Sequence, residues 1–267
     1  MTNATDAAFD GWCEGVVTQA GLMASHLAGV DLRTPVPSCP GWTVVQLARH
    51  VGAGHRWATE IVRTRASSPL PDTELRELSG HTDGDPAALA RWLTEGAVRL
   101  ADTLRTAGPA AEVWTPVPGR TDAAFYARRF AHETLVHRAD AALALGLSFD
   151  ADRSAVVDAL DEWMELDSLP VMLEFKPDRR TLLGPGRTVH LHATDAPSGG
   201  AWEWLVDLTG PVGTWRRTHE EAAVTVRGPL VELLLTVYGR RPPRDATVRV
   251  DGDRELLERW LALVSFG

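Results

Sequence analysis

The hydrophobic period changes once along the chain, and that change constrains the fold more than any other feature. Up to Lys176 the apolar residues recur at helical spacing; from Thr188 onward they alternate with polar ones, the two-residue period of a half-buried strand. Residues 5–28 carry Phe9, Val16, Ala20, Met23 and Leu27 along one helical face. A proline-rich break at 34–42 follows. Thr43 then makes a good N-cap, with Gln46 three residues on as in a capping box, and predicts a helix over 44–65. Residues 67–85, polar and rich in proline and glycine, read as a surface loop, and Pro86 suits the first turn of a helix ending near Ala107. A loop at 115–119 precedes a helix over 122–145 that Gly146 stops, and 152–173 is a fifth helical segment. Alternating runs at 188–194, 202–207, 223–227 and 247–251 predict strands, with helices at 229–238 and 254–264. Helices first and strands later predict two domains: an all-α bundle over 1–178 and a small α+β domain over 179–267.

Composition excludes several function classes. With 44% hydrophobic and 24% charged residues over 267 positions, the chain reads as an ordinary globular protein that needs neither disulfide nor metal merely to fold. The net charge of −9, with no basic run, argues against nucleic acid or an acidic membrane as partner. No apolar stretch approaches the roughly 20 residues that cross a bilayer, and residues 1–10 show no export signal, so the expected location is the cytoplasm. Cys13 and Cys39, the only cysteines, form no metal or redox pattern. The oligomeric state is not legible, a monomer being the default.

Residues 129–137, Arg-Phe-Ala-His-Glu-Thr-Leu-Val-His, hold the most chemistry. Glu133 and His137 are four apart, so their side chains project together on a seam shared with Phe130, Ala141 and Ala144. A carboxylate on an apolar seam needs compensation, because an unpaired buried charge is very costly. A metal ion bound by the Glu-x-x-x-His pair would supply it, and so would Arg128, Arg129 or Arg138. His132 points about 140° away from His137 around the axis, so the run is not the His-Glu-x-x-His protease motif. From spacing alone, a salt-bridged core glutamate and a metal site stand side by side. A third ligand would come from the second helix, where His50 shares a stripe with Leu47, Gly54, Trp57 and Ile61, and His55 one with Val44, Val51, Ala58 and Val62. Both stripes are apolar, and periodicity does not choose between them.

Three segments resemble one family. Val36-Pro-Ser-Cys-Pro-Gly-Trp-Thr43, followed by Leu47-Ala-Arg-His50 and His55-Arg-Trp-Ala58, is similar to the opening of the mycothiol-dependent maleylpyruvate isomerase family. Arg128-Arg-Phe-Ala-His-Glu-Thr-Leu-Val-His137 is similar to its second signature, and Val231-Glu-Leu-Leu-Leu-Thr-Val-Tyr-Gly-Arg240 to the helix and Gly-Arg ending of its C-terminal domain. The resemblance implies a DinB-like four-helix bundle followed by a small α+β domain. It implies a divalent metal, usually zinc, on His50, Glu133 and His137, with His50 preferred over His55 for its Leu-Ala-x-His context. Three protein ligands leave an open coordination position, and Asp140 one turn from His137 is a candidate partner for that ring's second nitrogen. The implied activity uses mycothiol or another low-molecular-weight thiol, either to isomerise a cis double bond conjugated to a carbonyl or to act as an S-transferase on a small-molecule electrophile. Neither cysteine matches a nucleophile role, so the sulfur comes from the thiol. Arg240 matches the family's essential arginine for an anionic substrate, with Arg241 beside it as the competing assignment. Lys176 is the sole lysine among 27 basic residues, a skew that fits a GC-rich genome and hence a mycothiol-making bacterium.

Other features read more plainly. His190 and His192 fall on one strand face, but with no third ligand in view that face reads as solvated or packed rather than as a second metal site. Asp161 and Glu162, adjacent on a helix, diverge by about 100° and read as a solvated face. A reading from a different class remains: a non-catalytic protein whose C-terminal domain, resembling sterol-carrier-like folds in its order of strands and helices, binds a small apolar ligand while the metal is structural.

Overall fold

The structure, a computed structural model, describes residues 4–76, 78, 84–196, 202–243 and 247–264. Two compact units divide the chain, Met1–Phe149 and Asp150–Gly267. The first is a bundle of four long helices: α1 (Ala4–His26), α2 (Val44–Thr64), α4 (Pro86–Ala107) and α5 (Ala123–Ala144), with a single turn, α3 (Thr73–Arg76), between the second and third of them. Part of the expected 67–85 loop lies outside the described residues. The helix starts follow local chemistry. Gln46 Oε1 accepts from the Thr43 backbone N–H at 2.9 Å, Asp85 accepts from Ala87 N–H at 2.9 Å ahead of Pro86, and Asp122 accepts from Phe125 N–H at 3.0 Å. At the other end of α5, Gly146 takes φ +68°, a conformation that favours glycine, while the Leu147 N–H returns to Ala142 O.

Helices α1 and α2 each pack on both α4 and α5, burying Met23, Leu27, Leu47, Ile61, Leu93 and Leu100 completely. The α2–α4 approach is close: a Cβ at Gly52 would come within 2.1 Å of the Trp92 ring. Arg56 lies over that ring at 3.9 Å and donates to Gly52 O and Trp92 O. Helix α5 is buried on nearly all sides, including the polar residues His132, Thr134, Arg138 and Asp140. A helix so enclosed must find partners for its polar groups. Arg138 Nε donates to Gln19 Oε1 at 2.6 Å, and Thr134 faces His55.

The second unit is a mixed sheet with helices. Its strands, β1 (Thr188–Ala193), β2 (Glu203–Asp207), β3 (Thr214–Arg216), β4 (Val224–Gly228) and β5 (Arg249–Gly252), run in the order β3-β2-β1-β4-β5. Only the central β1–β4 pair is parallel. The three-residue β3 is too short to show an alternating pattern. Helices α6 (Arg153–Asp167), α8 (Leu230–Val237) and α9 (Arg254–Val264) complete the unit, with the turn α7 (Met172–Phe175) and a 3-10 turn, Pro177–Leu182, between α6 and the sheet. Helix α6 stops at Asp167 rather than 173, since Pro170 has no N–H to continue the ladder.

The change of period at Lys176 marks where strands begin, whereas the compact units divide at residues 149 and 150. Helix α6 packs against α8, Trp163 meets Trp260 edge-on at 5.4 Å, and the Tyr238 hydroxyl donates to Ala159 O at 3.2 Å. Arg179 pairs with Asp167 at 2.6 Å and donates to Leu263 O and Val264 O, a cation on carbonyls at the C-terminal end of α9. The expected solvated face at Asp161 and Glu162 is corrected. Glu162 is buried, and Asp161 accepts from Trp204 Nε1 at 2.8 Å and from Arg217. Adjacent helix residues diverge, but both directions here meet protein.

Candidate metal centre

Glu133 and His137 project from one face of α5, and His50 reaches them from α2. One ligand atom from each lies within 4.8 Å of the other two. His137 Nε2 is 3.1 Å from Glu133 Oε1, and the His50 and His137 rings meet edge-on with centroids 5.1 Å apart. Both imidazoles are held by their other nitrogen. His137 Nδ1 lies 2.8 Å from Asp140 Oδ2, and His50 Nδ1 lies 3.2 Å from Leu75 O, so Nε2 of each ring is the nitrogen left for the shared point. Asp140 is completely buried and is itself oriented, for Ser38 Oγ donates to its Oδ1 at 2.6 Å and Cys39 Sγ lies 3.8 Å from its Oδ2. Two consecutive turns, closed by Cys39 N–H to Val36 O and Trp42 N–H to Cys39 O, present these residues from the proline-rich segment.

Electrostatics follow from this geometry. Burial pushes the Glu133 pKa up, but Arg129 at 2.8 Å, His137 and His50 outweigh it and hold the carboxyl well below its usual range. For His137 burial favours the neutral ring, yet hydrogen bonds to Asp140, Cys39 and Glu133 win and hold its pKa well above the ordinary value. His50 is pushed down, by burial first and then by the charge on His137. His137 is thus an imidazole between two carboxylates, a place that calls for positive charge. A divalent ion at Nε2 meets that need as a proton does, and two imidazoles with a carboxylate suit zinc. The donor set fits such an ion. Glu133 keeps 36% of its side chain exposed, so the site opens to solvent on the carboxylate side.

The fold separates the two histidines of α2 that periodicity left equivalent. His55 is fully buried with Nε2 2.9 Å from Thr134 Oγ1, and burial pushes its pKa down to about 3: it is a neutral core residue. Trp42 tilts onto His50 at 4.8 Å. Sequence reasoning missed Leu75 O, Ser38 and Cys39. No local signal marks a backbone carbonyl as a partner, and the Ser-Cys pair sits in a loop. Cys39, His137 and Asp140 form an overlapping cluster of potential ligand atoms. In the second unit Arg240 follows α8, half-buried, with Nη1 donating to Tyr238 O, while Arg241 is paired to Glu232 at 2.7 Å.

Among the described residues no helix is long and apolar enough to cross a membrane. Known proteins agree with the architecture. The chain resembles the crystal structure of the mycothiol-dependent maleylpyruvate isomerase with a TM-score of 0.62 at 17% identity, covering 94% of this chain and 96% of that one. A histidine-to-alanine mutant of that isomerase matches with a TM-score of 0.61 at 16% identity over the same shares. No curated protein matches. The family model for the mycothiol maleylpyruvate isomerase N-terminal domain matches residues 17–142, and the model for the family's C-terminal domain matches 154–259. With both domain models matched in order along most of its length, this chain belongs to the mycothiol-dependent maleylpyruvate isomerase family.

Proposed function

We propose that the chain is a metal- and thiol-dependent enzyme of small electrophiles, with His50, Glu133 and His137 as ligands of one divalent ion, zinc by donor chemistry. The observation that carries the reading is the convergence of His50, Glu133 and His137, with each imidazole held by an acceptor on its far nitrogen. Such an ion supplies, when bound, a Lewis acid that ionises a thiol near neutral pH. The protein's own groups prepare for it. Asp140 keeps the His137 Nδ1 proton and fixes the ring, Leu75 O does the same for His50, and Glu133 contributes the negative charge that Arg129 steadies. The partly exposed side of Glu133 leaves room for a thiol to approach.

Family membership supports mycothiol as the thiol, and the proposed reaction is cis–trans isomerisation of a maleylpyruvate-like substrate. The sulfur adds to one carbon of the cis double bond, rotation follows about the resulting single bond, and loss of the thiol returns it unchanged with the trans product. The same activated sulfur would serve an S-transferase if the electrophile retained it. Arg240, the position that matches the family's essential arginine, is the cation for the substrate carboxylate, with Arg241 beside it as the competing assignment. The test is turnover of maleylpyruvate with and without mycothiol, by purified protein of measured metal content and by His50→Ala. Thiol-stimulated turnover that disappears in His50→Ala supports the reading. Full activity in a metal-free protein would sink it.

A further inference from the structure

The second unit holds another convergence of ligand atoms, and it does not depend on the reading above. His190 and His192 lie two apart on β1 and therefore on one face of the sheet. The antiparallel register sets Glu203 of β2 directly opposite His192, so its carboxylate joins the same face. His219, from the segment between β3 and β4, completes the group. All three rings approach a single oxygen: Glu203 Oε2 lies 2.8 Å from His190 Nε2, 2.8 Å from His192 Nδ1 and 2.7 Å from His219 Nδ1. The ligand atoms of all four residues lie within 4.8 Å of one another.

Three features distinguish this from a hydrogen-bonded packing cluster. His190 Nε2 and His192 Nδ1 are buried and, although each lies 2.8 Å from Glu203 Oε2, neither completes a regular hydrogen bond to it. His190 is only 1% exposed, and an unsatisfied buried nitrogen is costly. Second, the rings do not stack. Their centroids are 5.7, 6.0 and 6.1 Å apart with interplanar angles of 81°, 69° and 76°, the arrangement of imidazoles aimed at a common point from different sides. Third, Glu203 is 4% exposed, and among the described residues its ion-pair partners are these three histidines, with no lysine or arginine among them.

We propose that His190, His192, His219 and Glu203 form a second metal site, taking one zinc-class transition ion in a four-coordinate, three-nitrogen, one-oxygen shell. Donors about 2.0–2.1 Å from a tetrahedral ion lie roughly 3.4 Å apart, so a modest outward shift of the rings from Oε2 makes room. Softer copper(I) sites want sulfur and harder magnesium or calcium sites want more oxygens, which leaves zinc and its neighbours. Four protein ligands close the shell, so the role is structural: the ion ties the segment carrying His219 to β1 and β2.

The experiment is metal titration of the full-length, metal-free protein with Co2+ and then Zn2+, counting bound equivalents by equilibrium dialysis and recording the visible spectrum of tetrahedral Co2+. Wild type is expected to take up two equivalents, and the His192→Ala/His219→Ala variant one, with thiol-dependent activity unchanged. Both substituted side chains are partly exposed, at 26% and 64%, so the sheet core is left intact. Equal stoichiometry in wild type and double variant would overturn the proposal. Should that variant misfold, a His50→Ala/His137→Ala protein gives the complementary count: one remaining equivalent with a tetrahedral Co2+ spectrum is expected, and none overturns the site. If the bundle site alone fails, wild type binds one equivalent and loses it in His192→Ala/His219→Ala, so the two proposals fail separately.

Discussion

The two histidine clusters use the same donor chemistry on different scaffolds. In the helical unit, two of three donors come from one turn of α5, and each imidazole is fixed from behind by a polar partner, Asp140 or Leu75 O. In the sheet unit four donors come from two strands and a connecting segment, three histidines converging on the buried Glu203. The helical cluster has three donors and a carboxylate 36% exposed; the sheet cluster has four donors and a carboxylate 5% exposed. Donor number and access separate a site able to admit a substrate from one that closes on its ion. On the readings proposed here, the first site does chemistry and the second holds the chain together.

Four changes would break or sharpen that contrast. The largest effect belongs to His50→Ala, which should empty the helical site and lower kcat/KM at least ~1000-fold, the several kcal/mol a Lewis acid supplies. Steady-state kinetics beside metal analysis checks it, and the sheet site should keep its ion. Next, His192→Ala/His219→Ala should abolish the zinc-induced rise in unfolding free energy of the second unit, about 2.7 kcal/mol at free zinc 100 times Kd, without changing turnover. Denaturant titrations with and without zinc measure it, and a lost activity would mean the sheet site is not merely structural.

Asp140→Asn should weaken metal affinity of the helical site ~10–100-fold while leaving its stoichiometry intact at saturation, because the His137 ring loses its charged support. Competition with a chelator reads this directly. The smallest effect concerns His55, the histidine of α2 that is core rather than ligand. Its folded pKa, about 3, lies below the unfolded value of 6.5. The stability it contributes is therefore complete above pH 6.5 and lost as pH falls towards 3, at up to about 1.4 kcal/mol per pH unit. Comparing the pH dependence of unfolding in wild type and His55→Phe between pH 7 and 5 should show a shallower acid loss in the variant, with metal content unchanged. Metal loss in His55→Phe would reverse the roles of the two histidines.

Local signals carried much of the bundle. The Thr43–Gln46 contact, the Asp122 cap and the Gly146 stop act within a few residues, so the helices could be bounded from sequence, and the four-residue step from Glu133 to His137 made their juxtaposition predictable. The choice between His50 and His55 was beyond periodicity, because both lie on apolar stripes and a stripe gives no rotation of α2 against α5. The Leu75 carbonyl and the Ser38–Asp140 contact were hidden for the same reason: their partners lie 25 and 102 positions away. The second cluster was half visible. Alternation put His190 and His192 on one face, but Glu203 required the β1–β2 register, and His219 lies outside any strand.

By itself the sequence determined the helix-to-strand order, the helix boundaries set by caps and breakers, and the Glu133–His137 pair. These depend on interactions within one or two turns, whose geometry backbone stereochemistry fixes. Only the tertiary structure decided how His50 reaches that pair, that α6 packs with the sheet unit, that Asp161 and Glu162 meet protein rather than water, and that three histidines share one glutamate. Each of these depends on how whole elements rotate and register against one another, and that is set by the summed packing of many side chains rather than by any local residue pattern.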